Sequence, residues 1–423
     1  MNVYVQGSSA LAHYRGVGAT TTVERQPKDI RSLADATSSL TKIIEAGIWR
    51  LGIGEPTADR PLEVLVRDSS QRSRSRAVKA RIWKQPIALT AFRQVGNNIF
   101  VSSPEFTFLQ MALRLDLPEL TSLGMELCGT YRCNVEVQHL DTGESYFTTS
   151  YNQQPLTTPK RLRGFLDSMR SAPGYLRAHK ALSYVLPNSA SPAETALYLL
   201  LCLPRRLGGY ALPKPVLNPP ITLSKAGRQH TLRKSARPDL YWKEFRLDLE
   251  YNSDEFHDES NRVLDSMRRK ALERMGVEVI ELTKEELYST ELFHATVLRI
   301  ARRFSKRIRS EGEGDFKEHR AALRKLLLVD SVDEVSRFQN KDDAEESAVY
   351  VQGYEDIVPQ DDSGIWLDEF PDYEMETDDI WDDDSTWTAE VADWDEASTW
   401  TAEVADWYDE DLNVFGKSSQ KEN

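Results

Sequence analysis

An acidic segment near the C-terminal end limits most strongly what the rest of the chain can fold into. Residues 351–410 carry 22 Asp and Glu and no Lys or Arg. A stretch with this charge density buries too little apolar surface to offset the entropy of ordering, so we expect residues 345–423 to be a disordered tail. The folded part must therefore come from residues 1–344.

The tail also contains a short repeat and most of the tryptophans. The sequence STWTAEVADW stands at 385–394 and again at 398–407, a period of 13 residues, and six of the nine tryptophans lie from Trp366 to Trp407. Two copies are too few for a solenoid. Acidic residues with interspersed aromatics can mimic a nucleic-acid strand in a basic groove or bind a protein partner. A tail that only aids solubility is the alternative.

The charge of the remaining chain is the reverse of the charge of the tail. The whole chain has a formal net charge of −14, and without the 22 acids it would carry +8. Basic residues cluster at 67–84 and at 299–309. These clusters predict contacts with DNA phosphates, and solvated surface is the alternative for the first cluster. The candidate DNA-binding residues are Arg72, Arg74, Arg76, Arg268, Arg302 and Arg303.

Cysteine usage and hydropathy bear on the compartment. The three cysteines, Cys128, Cys133 and Cys202, are sparse and odd in number, which favours a reducing cytoplasm and argues against a disulfide framework or a four-ligand zinc site. The most apolar run, ALYLLLCL at 196–203, is far shorter than a membrane span. The first residues lack the pattern of a secretion signal. We expect a cytoplasmic protein without a membrane partner.

The folded part divides into four stretches. Residues 1–150 mix strand-like runs (PLEVLV, KARIWK, NNIFVSS) with helical ones and predict a mixed α/β domain, with a hairpin between the first two runs. Residues 151–189 predict a helical connector broken by PG and by LPNSASP. Residues 190–310 alternate helix and strand signals typical of an α/β core. A helix and linker at 311–344 complete the folded part.

Two acids stand at strand ends in the third stretch. In RPDLYWKEFRLDLEYN, Asp239 and Glu250 come together if the two strands form an antiparallel pair with a turn near Lys243. Paired carboxylates repel each other unless a divalent cation binds between them. Such a cation, here Mg²⁺, activates water for phosphodiester hydrolysis. His257, seven residues after Glu250, is a candidate base for that water.

The same segment resembles a known nuclease family. The motifs SPAE, PDL, LDLEYNSDEFH, LDSMRRKAL and GVEVIEL, from Pro192 to about Arg303, are similar to the restriction-endonuclease-like fold, in particular its very-short-patch-repair-like branch. GSSALAHYR and VSSPEFTFLQMA are similar to bacterial proteins that carry this domain. Some of those resemble abortive-infection type IV antitoxins and begin with a winged helix. The resemblance implies a Mg²⁺-dependent DNA endonuclease, in repair or phage defence.

Functional residues follow from the resemblance position by position. Asp239 and Glu250 match the metal-binding acids, and Glu194 matches a glutamate of the first helix that often joins them. The polar residues after the core strand are matched by His257, Asp265 and Arg268. Asn252 departs from the pattern, because relatives have Asp or Lys there. An asparagine can offer a metal its carbonyl oxygen but brings no charge.

Two classes of function therefore stay open. The first is a metal-dependent endonuclease, and the second is a non-catalytic DNA-binding or antitoxin-like regulator with a degenerate site. Structural alternatives also exist for single residues. Glu194 completes a capping box with Ser191, β-strand alternation puts Glu250 on the polar face of an edge strand, and Asp265 can pair with Arg268 on a helix surface.

Truncation after Asp343 should tighten non-specific DNA binding. The tail is tethered to a basic body, so it competes with DNA at an effective concentration on the order of millimolar. Because salt screens the attraction, the difference should be largest at low ionic strength. Binding of a labelled duplex to both proteins across a salt series tests this, and equal affinities throughout would leave the tail without this role.

Overall fold

The structure, a computed structural model, describes residues 1–16, 30, 32–136, 146–225, 234–252, 259–308 and 314–328. Within these ranges α-helices combine with mixed β-sheets, so the α+β class predicted from the sequence is confirmed at that level. The predicted tail at 345–423 lies outside the described residues. In the described part of the chain, no helix is both long and apolar enough to cross a membrane.

The N-terminal part contains a five-stranded mixed sheet. Its strands are β1 (Val3–Val5), β2 (Leu62–Val66), β3 (Val78–Ile82), β4 (Phe92–Gln94) and β5 (Ile99–Ser102), in the spatial order β3-β2-β1-β5-β4. The hairpin predicted between β2 and β3 is wrong, because the two strands are parallel. The basic connection at 67–77 returns the chain to the start of β2, and connection length alone does not reveal strand direction.

Helices and a small hairpin accompany this sheet. They are α1 (Gly7–Gly16), α2 (Leu40–Glu45), α3 (Pro104–Met111), α4 (Leu117–Leu127) and the antiparallel pair β6 (Arg132–Glu136) and β7 (Tyr146–Ser150). Ser103 caps α3 and Pro104 opens it; the Ser103 hydroxyl accepts a hydrogen bond from the N–H of Phe106.

The predicted connector is helical. It contains α5 (Pro159–Ser168) and α6 (Tyr175–Leu182), separated at Gly174, whose φ of 85° is easily adopted by glycine. The next helix, α7 (Pro192–Cys202), is buried from Glu194 to its end. A helix buried on all sides packs between other elements rather than on a surface.

A second, four-stranded sheet follows α7. It contains β8 (Val216–Leu217), β11 (Leu240–Trp242), β12 (Leu247–Asn252) and β13 (Glu278–Thr283), in the order β13-β12-β11-β8. The pair β9 (Ile221–Thr222) and β10 (Ser235–Ala236) lies between β8 and β11 in the chain. The loop GGYALPKPVLNPP is rich in glycine and proline, which disfavour regular elements, yet its Val216–Leu217 pairs with β11.

The remaining helices complete the described part. They are α8 (Glu259–Arg274), α9 (Lys284–Tyr288), α10 (Thr290–Arg303) and α11 (Gly314–Leu327). Because β12 and β13 are parallel, the chain must cross over between them, and α8 makes this crossover. Gly276 follows α8 at a φ of 78°, a conformation that glycine adopts easily at a helix end. The last helix of the 190–310 stretch, α10, ends at Arg303, within the basic cluster at 299–309.

One apolar core runs through all these parts. It extends from Tyr4 in β1, through Leu166 in α5 and Leu199 in α7, to Leu249 in β12 and Leu323 in α11. The described residues all belong to one compact unit, Met1–Tyr350. Domain boundaries at 150 and 190 stay a prediction, but the stretches they separate share this core.

A buried ion pair joins β2 of the first sheet to the segment that follows α3. Arg114 donates from both terminal nitrogens to the carboxylate of Glu63 at 2.7 Å, and the two side chains are only 7% and 4% exposed. The Gln6 amide donates to the same carboxylate at 2.9 Å. Two parallel charge-assisted bonds are the strong form of this interaction.

Arg114→Met should lower the free energy of unfolding by about 3–5 kcal/mol, because it leaves the Glu63 charge buried without its counter-ion. Urea unfolding followed by circular dichroism measures the change. Arg170→Met is the control, since the Arg170–Asp167 pair is exposed and should contribute less than about 1 kcal/mol. Equal losses in the two variants would contradict the expectation.

Candidate functional site

The hairpin formed by β11 and β12 brings the two predicted acids together. The strands are antiparallel, with Leu240 opposite Leu249, and the turn at Lys243–Phe245 lies where the sequence predicted it. Continuing this register by one residue places Asp239 opposite Glu250. Side chains on opposite residues have their Cβ atoms about 5 Å apart, so the two carboxyl groups share one end of the sheet.

Alternation along β12 sorts its side chains onto two faces. Leu247 and Leu249 are fully buried in the main core. Asp248 and Glu250 lie on the other face, which packs against Ala271 of α8 through a second apolar cluster. The edge-strand alternative is therefore wrong, because β12 lies between β11 and β13 and its acidic face is covered.

Glu250 is buried beside a cation from α8. It is 6% exposed, and the Arg268 guanidinium donates a hydrogen bond to its carboxylate. The same guanidinium donates to the carbonyl of Arg237 at 3.2 Å, so it spans two segments. The alternative pairing of Arg268 with Asp265 concerns a side chain outside the described residues. Among the described side chains, the carboxylate of Glu250 forms an ion pair with Arg268.

Glu194 reaches the same region from the first turn of α7. Ser191 caps this helix, but the reciprocal capping box is not formed. Instead, the Glu194 carboxylate accepts from the N–H of Ala190 at 2.9 Å and from the Asn218 amide at 2.6 Å. Burial, with a smaller contribution from the charge of Glu250, raises the pKa of Glu194 from 4.5 to about 7.

Asn218 ties three segments of the site together and carries no obvious sequence signal. Its side-chain amide donates to the carbonyl of Asn188 at 3.0 Å as well as to Glu194, and its backbone N–H donates to the carbonyl of Asp239 at 3.1 Å. The residue has a φ of 49°, a conformation that asparagine tolerates better than most residues. Its position in a proline-rich loop gave no periodic pattern to recognise.

Asp239 is held by the backbone of the opposite strand. Its carboxylate accepts a hydrogen bond from the N–H of Tyr251 at 2.9 Å. Burial raises the pKa of Asp239 well above its usual range, and the charges of Glu250 and Glu194 add to the effect. The three predicted acids thus interact electrostatically, although they come from three different elements.

Asp248 is a fourth acid of the cluster that the sequence prediction missed. It is fully buried, and neither carboxylate oxygen has a hydrogen-bond donor among the described residues. Burial and the adjacent Glu250 carboxyl, within hydrogen-bonding reach, raise the pKa of Asp248 well above its usual range. The signal was present in LDLEYN, since Asp248 and Glu250 are two residues apart and share a face.

The other candidate residues lie elsewhere or outside the description. Asn252 ends β12 on the acidic face and is partly exposed. His257 lies outside the described residues. The connection between β2 and β3, beside the first sheet, carries the exposed Arg72, Arg74 and Arg76. At the end of α10, Arg302 and Arg303 are exposed, and Arg303 pairs with Glu278 at 2.9 Å.

The cluster has the donor chemistry of a hard divalent cation. In the part of the chain that the structure describes, no three Asp, Glu, His or Cys side chains surround one point as metal ligands. Mg²⁺ needs fewer, because it keeps several waters and usually binds one or two carboxylates. Asp239 and Glu250 fit this smaller requirement, and the two oxygens of Asp248 that have no hydrogen-bond donor add acceptors close by.

Compared with known proteins, the chain matches no protein-family model, no curated protein and no solved structure. The likeness to restriction-endonuclease-like nucleases therefore rests on the quoted motifs alone.

In EDTA, the stability that depends on Glu194 should fall as pH rises from about 4.5 to about 7 and stay constant above that range. The folded state holds the Glu194 proton more tightly than the unfolded state, so ionisation favours unfolding until the folded pKa is passed. Asp239 and Asp248 act in the same direction. The stability of Glu194→Gln should fall less steeply with pH than the stability of the wild type. Glu244→Gln, a change at an exposed glutamate, should show the same pH dependence as the wild type. Urea titrations at several pH values give the slopes, and identical slopes for Glu194→Gln and wild type would contradict the assignment.

Proposed function

We propose that this protein is a metal-dependent DNA endonuclease that hydrolyses phosphodiester bonds. One observation carries the proposal: Asp239 stands opposite Glu250 across the β11–β12 hairpin, and Asn218 joins Asp239 to the buried Glu194 of α7. Buried like charges oppose folding, so an arrangement that collects them is typical of a functional site. The three acids are those that the family resemblance assigns to metal binding.

We infer a restriction-endonuclease-like arrangement for residues 190–310. Supporting it are a mixed four-stranded sheet, a helix that precedes it and supplies an acid, and a helical crossover between the parallel strands β12 and β13. These features fit the expected fold in both the order of the elements and the position of the acids.

The proposed roles follow from the chemistry of each residue. Asp239 and Glu250 hold Mg²⁺, with the Asn252 carbonyl oxygen as a further donor. When bound, the cation polarises a phosphate and lowers the pKa of a coordinated water. Glu194 completes the anionic cluster, and the Tyr251 N–H fixes the orientation of Asp239. His257 stays the candidate base.

Arginine side chains supply the proposed contacts with DNA. Arg268 is 28% exposed and lies against Glu250, where one guanidinium can contact both the acid cluster and a phosphate. The exposed arginines of the β2–β3 connection and of α10 are candidates for contacts farther along the duplex, because phosphate contacts need only accessible cations.

A second candidate function is a non-catalytic DNA-binding or antitoxin-like regulator. Asn252 favours it, since a neutral amide on the acidic face gives neither the charge nor the proton transfer that Asp or Lys provides. In this case Arg268 and the surface arginines would still bind DNA, and the acid cluster would remain without cleavage activity.

Cleavage of supercoiled plasmid separates the two candidates. With Mg²⁺ or Mn²⁺ the wild type should nick the plasmid, and Glu250→Gln should lower the rate at least about a hundredfold, because it removes a cation ligand. Glu244→Gln, an exposed glutamate in the hairpin turn, is the matched control and should keep wild-type activity. EDTA should abolish nicking. Plasmid binding without nicking under all conditions would favour the regulator.

A further inference from the structure

The strongest unexplained feature of the described chain is the carboxyl group of Asp248. It lies in the middle of β12 and is 0% exposed, and neither oxygen accepts from an N–H or hydroxyl donor among the described residues; the Glu250 carboxyl is within hydrogen-bonding reach. Burying a carboxyl without donors is costly, and nothing in the packing of the strand requires an acid at this position. A valine or threonine would suit a central strand better.

The surroundings of Asp248 offer too little positive charge. Glu194, Asp239, Asp248 and Glu250 bring four carboxyl groups together, and the charge of Arg268 acts on both Asp239 and Asp248. That guanidinium already donates to Glu250. The neighbouring strand residues Tyr241 and Val279 stand opposite Asp248 and bring no cation. The excess negative charge must be balanced by protons or by an added cation.

Position matters as much as charge. Along β12, residues 248, 250 and 252 share one face, with Glu250 in the middle. Position 252 carries the neutral Asn252 and not an acid. The strand does carry a second acid on this face, two residues before Glu250 rather than two residues after it.

We propose that Asp248 belongs to the divalent-cation site and supplies, with Glu250, the second anionic group on β12 that Asn252 does not supply. This inference rests on the proposed function and extends it to a residue that the family resemblance does not assign. The proposed ligand is a hard divalent cation, Mg²⁺ or Mn²⁺. Acids at positions 248 and 250 would bind this cation deeper in the sheet than acids at positions 250 and 252.

A titration with Mn²⁺ alone, followed by calorimetry on the full-length protein, tests the proposal without any nuclease assay. Asp248→Asn should weaken Mn²⁺ binding about tenfold or more, because it removes an anionic oxygen donor at nearly constant shape. The double variant D248N/N252D should recover at least part of that affinity, since it returns the charge to the same face. Glu244→Gln should bind as the wild type does.

The outcomes separate the two levels of inference. If Glu250→Gln loses Mn²⁺ binding while Asp248→Asn keeps wild-type affinity, the role of Asp248 is overturned and the proposed function stands. If Glu250→Gln keeps wild-type affinity, the metal site of the proposed function itself is overturned. Failure of the double variant to recover would overturn the assignment of positions 248 and 252 as alternative places for one charge.

Melting temperatures in EDTA exclude a folding artefact. Asp248→Asn should melt at or above the wild-type temperature, because it removes a carboxyl that is buried beside the Glu250 carboxyl. If the asparagine variant does not fold, Asp248→Ser replaces it in the titration. A merely structural acid would change the melting temperature in EDTA and leave the Mn²⁺-induced rise in melting temperature as large as in the wild type.

Discussion

Burial of the polar face of β12 beneath α8 is the constraint on which the candidate site depends. A carboxylate on a solvated strand would be screened by water, but on this covered face its charge acts on every neighbouring acid. The neighbouring groups are arranged accordingly. Arg268 supplies a cation, the Asn218 amide donates to one acid, and a backbone N–H orients another. Each of these contacts offsets part of the cost of collecting acids in one place.

The opposite face of the same strand provides the stability that the acidic face lacks. Leu247 and Leu249 are fully buried in the main core, each contributing about 1.5–3 kcal/mol of apolar burial. A one-residue slip in register would exchange the two faces and put the acids into that core. The leucines therefore fix the register of the hairpin, and through it the meeting of Asp239 with Glu250.

Much of this arrangement could be predicted from local sequence patterns, and the remainder depends on long-range pairing. Alternation in FRLDLEYN and the turn near Lys243 predict the hairpin, and SPAE predicts the start of α7. The predicted direction of β3 was wrong, because parallel and antiparallel strands show the same alternation of side chains between two faces. Asn218 was missed because its partners are 24 and 30 residues away in the chain. Asp248 was on the identified polar face, but only burial reveals that it lacks donors.

Because the apolar core is continuous, the C-terminal sheet and the N-terminal part depend on each other for packing. A domain boundary at residue 190 would fall just before α7, a helix that is buried from Glu194 to Cys202. This helix packs in the core shared with the N-terminal half and also supplies one acid of the site. We therefore expect that the C-terminal sheet would not fold as an independent domain if it were transferred to another protein. Whatever chemistry the acids perform is tied to the packing of the N-terminal sheet and the connector helices, so changes in those distant parts can alter the site without touching it.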